Sequence, residues 1–372
     1  MSLPKPIPGG PEWHVDWERL SASYAWIAAL QGCEQNPQWH AEGDVWVHTR
    51  MVAEAMAANP VWRDLEALDR DTLFAAALLH DVAKPACFRR EPDGRITARG
   101  HSARGEVMAR RILWELGTPI ETRERICALV RSHQVPFFLF DRPDRDRLLF
   151  AISHEVRCRD LALLTEADAR GRVCADRGAL LEKVELFVEY CREMECLDAP
   201  RAFVSAHSRF EYFRREGRDP NWHAHEAFRC EVVLLSGLPG AGKDTWIRDN
   251  AASRAVVSLD AIRHEMGVTP DADQGPVVAA GRQRARELLR QGTSFVWNAT
   301  NLSRRIRRQC IDLFADYGAR VRIVYLEAAP ETLRQRNQSR AMPISNRVLE
   351  RMLLHWEVPN RIEAHDVEWV QT

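Results

Sequence analysis

The stretch CEVVLLSGLPGAGKDTW, residues 230–246, decides how the C-terminal half folds. Its apolar, β-branched opening reads as a buried strand. The glycine-rich turn that follows matches the phosphate-binding loop G-x-x-x-x-G-K-[ST] at every position but the last. Gly237, Gly240 and Gly242 let the backbone turn tightly against phosphate oxygens, and Lys243 brings a point charge to the β and γ groups at a helix N-terminus. Asp244 stands where the magnesium-holding hydroxyl is expected, with Thr245 beside it.

Outward from this loop, RAVVSLDA (254–261), TSFVWNAT (293–300) and ARVRIVYLE (319–327) are further short strand-like runs, separated by helical stretches such as QRARELLRQ and RRIRRQCIDLFADY. Strands alternating with helices predict a parallel α/β sheet. Asp260 follows the second strand, with Arg263 three residues on, so both side chains share one face of a helix that begins there. An aspartate so placed can take a proton from an attacking hydroxyl while the arginine grips an acceptor phosphate; in isolation the same pair would be a helix N-cap and a surface arginine. Arg336 and Arg340, spaced i and i+4, are candidates for a lid over nucleotide phosphates.

The first half carries a different period. From about residue 17 to 171 apolar residues recur at helical spacing, as in VHTRMVAEAMAA, TLFAAALLHDVA and RERICALVRSHQ. The expected chain is therefore an all-α helical bundle over residues 1–171, a polar helical connector over 172–228, and an α/β domain with a parallel sheet over 229–372. At 372 residues the length fits two or three domains. A net charge of -1 excludes any global electrostatic signature for nucleic acid, so such binding has to rest on local patches. The basic run Arg304, Arg305, Arg307 and Arg308 is one candidate, a solvated helix face the alternative.

Nine scattered cysteines without a C-x-x-C pair argue against a disulfide framework and against a cysteine zinc site. The opening residues MSLPKPIPGGPEW lack a signal peptide, and no run is long enough to span a membrane, so a cytoplasmic protein with no membrane association is expected.

In the helical half, His48, His80, Asp81, His101, His133 and Asp168 each lie on or at the end of a predicted helix. Imidazole and carboxylate are the donors of hydrolytic divalent metal sites. Neighbouring helix positions point about 100° apart, so His80 and Asp81 share an ion only if the other helices converge on them. LLHDVAKP, GHSARG, VRSHQVP and LTEADARG, in that order, resemble the HD phosphohydrolase superfamily with its H…HD…H…H…D pattern, and NPQWHAEGDVWVHT is most similar to HD domains attached to tRNA nucleotidyltransferases. By that resemblance His48, His80, Asp81 and Asp168 hold one divalent transition metal ion, and Asp81, His101 and His133 a second. Lys84 either contacts the scissile phosphate or is a solvated helix end. His40 is structural or supports the ligands.

The phosphate loop, D-x-x-R, the Thr300-Asn301 pair and the lid arginines together resemble the polynucleotide 5′-hydroxyl kinases, in which the Asp of D-x-x-R is the general base and its Arg engages the phosphate beside the 5′-hydroxyl. Asp260 and Arg263 occupy those positions. The acid that this family carries just before T-N is missing: Asn298 and Ala299 stand there. Asp244 is therefore read as a replacement magnesium ligand, direct or through water, with Thr245 as the alternative. The two halves together resemble the bacterial dual-function RNA end-healing enzymes. That resemblance implies ATP or another NTP with Mg2+ for the kinase, RNA or DNA ends (5′-hydroxyl; 2′,3′-cyclic phosphate) as substrates, and an RNA ligase acting in the same pathway. The rival readings are an HD nucleotidase fused to a nucleoside or metabolite kinase, and an HD phosphohydrolase regulated by ATP. The oligomeric state stays open.

Overall fold

In the computed structural model, which describes residues 3–269, 272–339 and 344–372, the chain folds as two compact units, Met1–Ala202 and Phe203–Thr372. The stretch 172–228 is divided between them: the helix Arg177–Glu193 lies in the first and the helix Ala206–Arg214 in the second. Among the described residues no helix is long and apolar enough to cross a membrane.

The first unit is a bundle assembled around the helix Ala67–Leu79. Every residue from Thr72 to Leu79 is buried, so this helix is the core rather than one wall of it. Val45–Ala58 starts at Asp44, whose carboxylate accepts from Val47 N at 2.8 Å, and buries Val45, His48, Thr49, Val52 and Met56 along a single stripe. It packs on Ala67–Leu79 and on Cys158–Arg170. The latter approach is so close at Gly171 that an added Cβ would sit 2.5 Å from Val52 Cγ2 and 2.8 Å from Val52 N. His101–Glu115 and Ile120–Ser132 complete the bundle. A two-residue antiparallel ribbon, Arg89–Arg90 with Ile96–Thr97, interrupts the helical pattern that the sequence predicts throughout.

The second unit contains a five-stranded, all-parallel sheet. Cys230–Ser236 lies at its centre between Phe295–Asn298 and Ala319–Glu327; Ala255–Ser258 and Asp366–Gln371 form the edges. The four strands expected from sequence are present. The edge strand DVEWVQ is an addition, short and half-buried, and its apolar residues are too few to separate it from a loop. Both faces of the sheet are covered: Val232, Leu234, Trp297 and Ile323 enter one core, Val233, Leu235, Val296 and Val324 the other. Burial on both sides explains why these strands read as continuous apolar runs. Ser236, Ser258 and Asn298 end their strands at the carboxyl edge, the edge at which α/β sheets bind ligands.

A candidate active site in each unit

In the first unit the six sequence-selected residues meet. His48 comes from within Val45–Ala58, His80 and Asp81 from just beyond Ala67–Leu79, His101 from the start of its helix, His133 from just beyond Ile120–Ser132, and Asp168 from within Cys158–Arg170. Asp81 stands between two histidine pairs. Its Oδ2 lies 3.1 Å from His80 Nε2 and 3.6 Å from His48 Nε2; its Oδ1 lies 3.3 Å from His101 Nε2 and 3.8 Å from His133 Nε2. Asp168 Oδ1 is 3.2 Å from His48 Nε2. Two donor groups result, His48–His80–Asp168 and Asp81–His101–His133, each with its donor atoms within 4.8 Å of one another.

The rings are oriented from behind. The Nδ1 atoms of His80, His101 and His133 meet the carbonyls of Ala77, Ala98 and Val130 at 2.7, 2.9 and 2.8 Å, three residues upstream in each case. His48 Nδ1 meets Glu42 at 2.9 Å and Gly171 O at 3.3 Å. A hydrogen on each Nδ1 leaves the Nε2 lone pair facing Asp81, the tautomer a metal ligand needs. Burial pushes the His133 ring down to about 3, with the His80 charge adding to the effect, and burial also lowers His101. His48 is raised, because Asp168 and Glu42 outweigh its burial. Burial opposes ionisation of Asp81, yet the Lys84 ammonium and the His80 ring hold its carboxyl well below the usual range; Arg172 and His48 do the same for Asp168. Asp81 Oδ1 is nevertheless a buried acceptor with no hydrogen-bond donor. Ionised carboxylates among imidazoles whose Nε2 atoms face inward, with one carboxylate oxygen left facing two ring nitrogens, fit divalent ions.

Lys84 is buried, not a solvated helix end: its Nζ bonds Asp81 Oδ2 and Gln35 Oε1, both at 2.6 Å. Sequence reasoning missed Glu42, which also bonds His40 at 2.8 Å, and Arg172, whose guanidinium grips Asp168 at 2.9 and 2.7 Å. Glu42 lies within the quoted NPQWHAEGDVWVHT stretch, but nothing in its spacing marked it.

In the second unit the loop follows the central strand directly. Gly237 has φ 147°, and a Cβ there would lie 2.3 Å from Leu326 O, so no other residue fits. Gly240 and Gly242 have φ 86° and 88°, and Gly242 caps the helix Lys243–Asn250. Lys243 Nζ donates to Gly237 O and Leu238 O at 2.9 and 3.0 Å, which holds the ammonium within the loop. Asp244 Oδ1 accepts from Asn298 Nδ2 at 2.8 Å: the neutral residue at the end of the third strand orients the carboxylate on the loop. The structure does not use Asp260 as a helix cap. Ser258 caps Leu259–Glu265, leaving Asp260 71% exposed and paired with Arg263 at 2.5 Å, while Arg263 Nε reaches Gln274 at 2.7 Å. Arg336 lies against the loop, donating to Gly240 O at 3.3 Å and Thr372 Oγ1 at 2.9 Å. Arg340 lies outside the described residues. A cavity of about 320 Å3 opens beside the loop, lined by Thr245, Trp246, Asn250, Leu326 and Arg336 among others.

The basic run does not form a four-arginine patch. Arg307 is wholly buried, bonded to both Glu363 oxygens and to the carbonyls of Asn301 and Glu357. Arg304 faces Glu363 and Arg308 faces Asp312.

Residues 44–168 match the HD domain family and residues 232–359 match the AAA domain family. The chain thus joins a segment that matches the HD domain to a phosphate-loop segment that matches the AAA domain. Among curated proteins it is similar to the A-adding tRNA nucleotidyltransferase of Deinococcus radiodurans, 44% identical over 69 residues that make up 18% of this chain and 16% of that one. It is also similar to the CC-adding tRNA nucleotidyltransferase of Thermus thermophilus, 36% identical over 119 residues, 31% of this chain and 25% of the relative. The chain thus spans a quarter or less of the length of these two relatives. A solved gluconokinase from Sinorhizobium meliloti aligns with 39% of this chain and 84% of its own, at 20% identity and a TM-score of 0.29.

Proposed function

We propose that the chain heals broken polynucleotide ends. The kinase-like unit transfers the γ-phosphate of ATP or another NTP to a 5′-hydroxyl, and the HD unit removes 2′,3′-cyclic, 2′- or 3′-phosphate from the opposite side of the break. The observation that carries this reading is the Asp260–Arg263 pair at the carboxyl edge of the sheet: an exposed carboxylate with no capping duty, already in contact with a guanidinium. Asp260 takes the proton of the attacking hydroxyl. Arg263 engages a phosphate flanking that hydroxyl, which a polynucleotide has and a nucleoside or sugar lacks. Lys243 at the loop's end and Arg336 against it neutralise the transferring group, and the cavity beside Trp246 is of a size for the nucleotide base. Asp244, fixed by Asn298, would hold the magnesium ion that accompanies the nucleotide and so help neutralise its phosphates.

In the HD unit, divalent ions held by the four histidines, Asp81 and Asp168 would supply an activated hydroxide and neutralise phosphate oxygens. The protein's own part is to keep the His101 and His133 rings neutral and the carboxylates ionised, and to keep the Lys84 ammonium against Asp81, beside the anionic substrate. The relatives matched over this unit are, by name, enzymes acting on tRNA, which supports an RNA substrate.

Incubation with γ-labelled ATP, magnesium and a mixture of 5′-hydroxyl RNA, a nucleoside and gluconate tests the reading. Label should enter the RNA alone. Label in the nucleoside or the sugar acid, with none in RNA, would overturn it.

A further inference from the structure

Three cysteines far apart in sequence meet in the helical unit. Cys158 opens the helix Cys158–Arg170, Cys191 lies in the last turn of Arg177–Glu193, and Cys196 follows a left-handed residue, Glu195, at φ 54°. That turn brings Cys196 N to Cys191 O at 2.9 Å and folds its side chain back under the helix end. All three side chains are fully buried, none is in a disulfide, and their sulfurs lie within 4.8 Å of one another. The absence of a C-x-x-C pair predicts no such cluster; helix packing assembles it from separate elements.

A tetrahedral ion with sulfur ligands at about 2.3 Å sets those sulfurs roughly 3.8 Å apart, so the cluster needs to contract by about 1 Å at most.

We propose that Cys158, Cys191 and Cys196 form a thiolate site for a soft divalent ion of the zinc class, which ties the end of one helix to the start of the other. Binding exchanges three S–H bonds for three sulfur–metal bonds and releases three protons to solvent, with no change of oxidation state. The fourth position goes to water. Because Cys158 begins the helix that carries Asp168, the ion fixes where that carboxylate stands in the HD centre. The site shares no residue with that centre and does not depend on the end-healing reading.

Cobalt(II) discriminates between the two metal sites, since only thiolates give a sulfur-to-cobalt charge-transfer band in the near ultraviolet. Full-length protein, reduced and stripped of metal, should develop that band on cobalt titration, together with the intense visible bands of tetrahedral cobalt. Asp81→Ala should retain the band, and Cys196→Ser should lose it. Cobalt uptake by the wild-type chain without a charge-transfer band would overturn the proposal, as would a band that Asp81→Ala abolishes in a folded protein. The wild-type spectrum decides even if Cys196→Ser does not fold.

Discussion

Replacing Arg307 tests whether the basic run after Thr300-Asn301 is structural or a nucleic-acid contact. Its guanidinium meets Glu363 at 2.6 and 2.8 Å, and the carbonyls of Asn301 and Glu357 at 3.0 and 2.7 Å. Burial opposes ionisation of Glu363, and Arg307 holds its carboxyl below the usual range all the same. Arg307→Ala leaves that carboxylate buried without its cation and strips two carbonyls of a donor. Breaking a buried pair in this way costs about 3–5 kcal/mol. For a domain of ~150–250 residues at about 2–4 °C per kcal/mol, the melting temperature of the second unit should fall by roughly 6–20 °C. Because Asn301 also bonds Leu235 O at 2.6 Å and Thr300 O accepts from Gly237 N at 2.9 Å, the turn braces the phosphate loop, so the KM for ATP should rise as well. The double variant Arg307→Met with Glu363→Gln removes both charges and should recover most of the lost stability. Scanning calorimetry of the wild type and both variants, with ATP kinetics below the lowest transition, measures each quantity. An unchanged melting temperature for Arg307→Ala with a raised KM for RNA alone would refute the structural assignment.

Asp260→Ala should cut 5′-phosphorylation by about 100- to 10,000-fold while ATP affinity stays near wild type; Arg263→Ala should raise the KM for an oligonucleotide. Wild-type turnover in Asp260→Ala would remove it as the base. Asp81→Ala should abolish metal-dependent phosphohydrolysis and spare the kinase, with Lys243→Ala doing the reverse; one folded single variant losing both activities would contradict independent sites. Asp244→Ala should raise the magnesium requirement more than Thr245→Ala does, and Asn298→Ala should fall between them; superimposable magnesium curves for Asp244→Ala and wild type would make the carboxylate a bystander. In the second unit, burial, together with the charge of the adjacent His207 ring, pushes His365 down to about 3, below the ordinary histidine value near 6.5. The unfolded chain therefore takes up this proton first, and stability falls by up to about 1.4 kcal/mol per pH unit as pH drops from ~6.5 toward ~3. Urea denaturation of His365→Gln across that window should show a shallower slope; an identical slope would discount the ring.

The residues legible in the sequence were those whose position along a helix or loop carries the chemistry. The glycines around Lys243 and the H…HD…H…H…D order are patterns of spacing, and the structure brings their donor atoms together. What spacing did not reveal were partners chosen by packing. Glu42 orients His48 and Arg172 grips Asp168 because Gly171 lets two helices approach at backbone distance. Asn298 read as a lost acid in one strand, and its bond to Asp244, 54 residues away, depends on the strand pairing Leu235 with Asn298. Arg307 looked like its charged neighbours because amphipathic periodicity says which face is buried and not that an acid waits beneath it. The cysteine cluster was hidden for the same reason, its members standing on two helices and a turn.

Three of the four histidines in the HD centre are oriented by the carbonyl three residues upstream in their own segment. Their tautomers are thus set by local chain geometry, with no ion needed to orient the rings. A cage so oriented, built from nitrogen and oxygen donors, ranks first-row divalent ions by the general affinity order, so discrimination among them rests on site geometry and on supply. Protein ripened in media rich in manganese, cobalt or nickel should then carry different ions on one and the same polypeptide, a difference that elemental analysis of each preparation reads directly.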